Sequence, residues 1–115
     1  MENNSNAKLL RIFIGESDKY GNTPLYEAIV FKAKKEKLSG ATVTKGIMGF
    51  GANSIINSSK LFTISRDFPL IVEIVDKEDK IRDFVKILEK MFEKSNTGGL
   101  ITIEKAEIIH YKEKK

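Results

Sequence analysis

The strongest constraint on this chain is the order in which its apolar residues change period. A short run, Leu9, Leu10, Ile12, Phe13 and Ile14, is apolar and partly β-branched, and Gly15 ends it. This reads as a first strand over residues 8–14, and its near-continuous apolarity suggests a central strand buried on both faces. Leu25, Ala28, Ile29 and Ala33 follow at helical spacing, with Lys32, Lys34 and Lys35 on the other side. Thr23 is placed to cap that helix, Pro24 suits its first position, and Gly40 is a fitting stop. Residues 41–50 carry Thr42, Val43, Thr44, Ile47 and Phe50 and read as a second strand. Leu61, Phe62 and Ile64 read as part of a returning strand, and residues 70–75 as the third.

Ile81, Phe84, Val85, Leu88, Met91 and Phe92 then trace one helical stripe. Asp76 is expected to cap it, with Asp79 three residues on. Ser95 to Gly99 breaks the helix. Residues 100–103 and 106–111 read as the last strand, with an irregularity near Glu104 and Lys105. The order is β-α-β-β-α-β, the split βαβ or ferredoxin-like signature, an α+β sandwich with two helices on one face of an antiparallel sheet. The other face then poses a problem. Strands one and three are apolar on both sides, whereas a solvated face should alternate more sharply. Association of identical copies on that face resolves the conflict.

At 115 residues the chain fits one domain. We read residues 1–7 as a disordered N-terminal segment, 8–111 as the domain and 112–115 as a solvated basic tail with Lys112, Lys114 and Lys115. The formal charge of +4 is compatible with anionic partners. Without cysteine there is no disulfide framework, thiolate metal site or Cys nucleophile. No signal-like stretch opens the chain and no apolar run approaches the roughly 20 residues of a membrane helix, so a cytoplasmic protein without direct membrane insertion is expected.

Catalytic chemistry is hard to find. His110 is the sole histidine and has no partner in the sequence that would make it a general base. No metal-binding motif or nucleophile elbow is present, so neither an enzyme nor a metal site is expected. The informative stretch is Lys45-Gly46-Ile47-Met48-Gly49-Phe50-Gly51-Ala52-Asn53-Ser54. Gly46, Gly49 and Gly51 allow tight turning and close approach of a ligand, and successive N–H groups there can form an anion nest. Lys45 adds charge, and Asn53 and Ser54 add neutral hydrogen bonds. Glu16, just after the first strand, is a further candidate contact. A bulged, glycine-rich strand end explains the same residues without a ligand. Strand three has no aromatic for base stacking and carries Glu73, which argues against a nucleic-acid partner.

Several segments in order resemble a family. Pro24-Leu25-Tyr26-Glu27-Ala28-Ile29, Gly40-Ala41-Thr42-Val43, Gly46-Ile47-Met48-Gly49-Phe50-Gly51, Pro69 with Val72-Glu73-Ile74-Val75-Asp76, Gly99-Leu100-Ile101-Thr102 and Ile109-His110-Tyr111 look like the PII-like family called domain of unknown function 190. The resemblance spans residues 8–111. It implies a homotrimer whose sheets face the threefold centre. It also implies a small anionic ligand, an adenine nucleotide in particular, in clefts between subunits. The loop between strands two and three would then act on a partner, a membrane transporter. Here that loop, residues 52–59, is shorter than in true PII proteins and has no tyrosine to uridylylate. The nucleotide-contacting pattern of PII proteins is not matched residue by residue. Two other readings stay open: a ligand-free interaction subunit, and a metal-binding trimer resembling copper-tolerance proteins, built on His110.

Overall fold

The computed structural model describes residues 6–52 and 67–114. The elements are β1 (Ala7–Gly15), β2 (Lys19–Tyr20), β3 (Thr23–Pro24), α1 (Leu25–Lys35), β4 (Thr42–Lys45), β5 (Pro69–Lys77), α2 (Glu78–Ser95) and β6 (Leu100–Ala106). One four-stranded sheet runs β4-β5-β1-β6, with every neighbour antiparallel. The short ribbon of β2 and β3 stands apart from it. This is the ferredoxin-like α+β fold that the order of elements predicts.

Alternation along the two central strands decides which side is the core. Leu10, Ile12 and Ile14 of β1 and Leu70, Val72 and Ile74 of β5 point to the helices and are buried. They meet Leu25, Ile29 and Ala33 of α1, and Ile81, Phe84, Leu88 and Met91 of α2. Both helices therefore lie on one face. The α2 stripe is the predicted one, except that Val85 and Phe92 are only partly buried at its margin.

Element ends differ from expectation in instructive ways. Thr23 does not cap α1: Thr23 and Pro24 pair with Lys19 and Tyr20, and the helix begins at Leu25 with no side-chain cap. The Leu25 N–H donates to the Asp18 carbonyl instead, at 2.8 Å. Gly40 does not stop the helix either. Lys37 takes the left-handed conformation (φ 63°), and Leu38 N–H donates to Ala33 O while Lys37 N–H donates to Lys34 O. These are the two bonds of a Schellman ending, made without glycine. α2 ends the same way on Asn96 (φ 54°), the usual second choice for that position.

Asp76 is not the cap of α2, because β5 continues through Lys77, paired with Ala7. Its buried carboxylate accepts the Ser39 N–H at 2.8 Å and the Lys77 N–H at 2.7 Å. Lys80 Nζ lies 3.7 Å away. Asp76 thus fastens the α1–β4 connection to the end of β5, and the Tyr111 hydroxyl adds a bond to Ser39 O. β4 stops at Lys45 rather than Phe50, and β6 runs regularly through Glu104 and Lys105 and stops at Ala106. Ala7 is buried in β1, so the strand starts one residue before the expected domain boundary. Met1 to Ser5, Lys115 and the expected returning strand at Leu61, Phe62 and Ile64 lie outside the described residues.

Candidate functional site

Antiparallel pairing brings four strand ends to one edge of the sheet: Gly15 of β1, Lys45 of β4, Pro69 of β5 and Leu100 of β6. A cleft of about 370 Å³ opens there. Its walls are apolar, from Phe13, Phe50, Pro69 and Leu100, with backbone at Gly15, Gly51 and Gly99. Its charged side chain among the described residues is Asp67, whose carboxylate accepts the Ser17 N–H at 3.0 Å. Such a slot suits a flat, partly apolar ring, with the carboxylate left to accept from an amine or hydroxyl.

Five of the seven predicted site residues are described, and all five sit at this edge. They do different things. Lys45 Nζ lies 3.2 Å from Glu16 Oε2 and 4.3 Å from the centre of the Phe68 ring. Lys45 and Glu16 therefore partner each other on the rim. Gly46 spends its N–H on Pro69 O at 2.7 Å, so that amide is not offered to an anion. Gly49 needs to be glycine, since its φ of 151° is rare for L side chains and a Cβ would sit 3.2 Å from Pro69 Cγ. Gly51 lines the cleft, and a Cβ there meets nothing within 4 Å. Asn53 and Ser54 lie outside the described residues.

Sequence reasoning missed Phe13, Asp67 and Gly99. Asp67 stands far from Gly15 in sequence, and only the β1–β5 register brings them together. Gly99 read as a helix breaker, yet it also lets the turn pass 3.1 Å from Phe13 O and the Phe92 ring, measured from a built Cβ.

Beside the cleft lies the open face of the sheet. Leu9, Phe13, Ile71, Val75 and Leu100 are its apolar members, and Phe13 and Leu100 also line the cleft. The face is not uniformly apolar, contrary to the sequence expectation. Arg11 stands at its centre, opposite Glu73 in register, with Nε to Oε2 at 2.8 Å, and also bonds Glu104. The hydrogen bond to Glu73 holds the Arg11 guanidinium above its ordinary range. Phe13 is the one aromatic on the described β1, β4, β5 and β6.

After β4 the chain turns three large side chains outward. Ile47 is 94% exposed, Met48 87% and Phe50 70%. Elsewhere, no group of three or more His, Cys, Asp or Glu gathers to hold a metal among the described residues. No described helix is long and apolar enough to cross a membrane.

The fold is one that PII-like proteins share. A PII-like protein named CPII, from Thiomonas intermedia K12, solved with ADP, AMP and acetate, matches with a TM-score of 0.64 at 12% identity, over 90% of this chain and 89% of that one. A putative PII-like signalling protein from Thermus thermophilus matches with a TM-score of 0.61 at 17% identity, over 90% and 89%. The family follows from sequence. The DUF190 model, described as "Uncharacterized ACR", matches residues 7–108, and the chain belongs to that family. A UPF0166 protein of Aquifex aeolicus is 42% identical over 103 residues, 90% of this chain and 93% of that protein. A UPF0166 protein of Methanocaldococcus jannaschii is 38% identical over 97 residues, 84% and 86% respectively.

Proposed function

We propose that this chain is a non-catalytic PII-like regulatory protein. Three copies meet on their open sheet faces, and an adenine nucleotide occupies the cleft at the strand ends. The observation that carries this reading is shared lining: Phe13 and Leu100 belong both to the cleft and to the open face. A second copy set on that face would close the cleft's exposed side. The relatives solved with ADP, AMP, acetate or bicarbonate support the choice of ligand. Here the ring would lie against Phe13, Phe50 and Pro69, and Asp67 would accept from its amine or from a ribose hydroxyl. With Lys45 held by Glu16 and the Gly46 amide engaged, ring stacking and the carboxylate contribute more than an anion nest. Ile47 and Met48 would then meet the partner, a membrane transporter in the family's pattern, in the cytoplasm. Regulation requires that the nucleotide bind the two states of this loop with different affinity.

Thermal melting of the purified oligomer with ADP, AMP, ATP and inorganic phosphate tests the reading. A nucleotide at 100 times its dissociation constant adds about 2.7 kcal/mol of stability. Gly51 lines the cleft and a Cβ there meets nothing within 4 Å, so Gly51→Val is expected to leave the ligand-free melting point nearly unchanged and to weaken nucleotide binding about tenfold or more. No shift with any nucleotide at millimolar concentration, or an equal shift in the variant, would contradict it.

A further inference from the structure

The helical side of the molecule carries a second recess, away from the strand-end cleft. On α1, Ala28, Phe31, Lys32 and Lys35 recur at intervals of three and four residues and so share one stripe. With Tyr20 of β2 and Met91 of α2 they enclose a recess of about 310 Å³. Met91 is 6% exposed and Phe31 is 65% exposed, so the recess has a dry floor and an aromatic standing at its lip. One exposed ring is ordinary by itself; here it stands at the mouth of a recess whose charged neighbours are of one sign on the α1 stripe.

The rim is cationic. Lys35 pairs with no carboxylate among the described residues, Lys32 comes only within 3.7 Å of Glu36, and Lys94 Nζ stands 5.8 Å from the Tyr20 ring centre. We propose that this recess docks an acidic segment of a partner protein. An apolar side chain of that segment inserts beside Phe31, and its carboxylates meet Lys32, Lys35 and Lys94.

Charge complementarity selects this occupant. Lysines around an apolar notch match a peptide that alternates acidic and apolar side chains. An extended polyanion fits less well, because the exposed face of α2 interleaves Lys86 and Lys90 with Glu89 and Glu93. A lipid surface calls for a protruding apolar face, and this one is recessed. The helices cover the side of the sheet opposite the open face, so assembly through the open face leaves the recess accessible.

Selection of short random peptides displayed against the immobilised full-length chain tests the proposal. The expected result is enrichment of acidic peptides with an aromatic or aliphatic anchor. Their affinity should fall with added salt, and fall about tenfold or more for Phe31→Ala and for Lys35→Glu. Both positions are exposed, so melting points should match the parent chain, and the nucleotide response should be untouched. Enrichment without acidic bias, or equal binding by both variants, would overturn the proposal. So would tighter binding of phosphatidylglycerol vesicles or of a short single-stranded RNA than of any selected peptide, if Lys35→Glu abolishes it.

Discussion

The two faces of one sheet are made by alternate residues of the same strands, yet they follow different rules. On the helical face, Leu10, Ile12, Val72 and Ile74 are at most 1% exposed and no charge interrupts them. On the open face the next residues along are Leu9, Arg11, Phe13, Ile71, Glu73 and Val75, apolar at both ends and charged in the middle. The first face is covered by helices joined to it in the same chain, so it never needs to be wetted. The second has no covering element among the described residues, and an ion pair rather than a continuous apolar surface holds its centre.

The largest effect expected from breaking this contrast is on the covered side. Leu88→Ala removes a fully buried side chain and should cost about 2–5 kcal/mol in chemical unfolding, whatever the protein concentration. Next is the buried fastening at the margin. Asp76→Ala leaves the Ser39 and Lys77 amides without their acceptor and should cost about 1.5–3 kcal/mol. On the open side, Arg11→Met should change the stability of a lone chain by no more than about 1 kcal/mol, since the ion pair is a third exposed. Its mark should be a changed particle mass or a broader mass distribution, because Glu73 and Glu104 are left facing each other across the gap. An Arg11→Met chain as unstable as Leu88→Ala would erase the distinction between the faces. The smallest effect sharpens the helix ends: Lys37→Gly should raise stability by up to about 1 kcal/mol, since glycine takes a φ of 63° without strain.

What the sequence reveals follows from how local each signal is. The order of elements and the helix stripes depend on neighbours three or four residues apart, and Phe84, Leu88 and Met91 are where the stripe puts them. The edge of the sheet that holds the cleft was legible because Gly46, Gly49 and Gly51 crowd one short stretch. The cleft itself was not, because Phe13, Asp67 and Gly99 come from three separate segments and meet only through strand register. Arg11 was overlooked for the opposite reason: one charge within an apolar run looks incidental until Glu73 stands opposite. Gly40 and Asp76 carry strong end signals that lost to geometry. The Schellman bonds close at Lys37 before the chain reaches Gly40, and pairing with Ala7 keeps Asp76 in the sheet. The metal reading would need His110, exposed near the end of the chain, to find carboxylates on another copy.

The most direct test is the absolute mass of the purified protein in solution, measured by light scattering across a dilution series. The expected particle is three times 13.0 kDa, with its Leu9, Phe13, Ile71, Val75 and Leu100 face turned inward. A stable particle of 13.0 kDa throughout the series would contradict it.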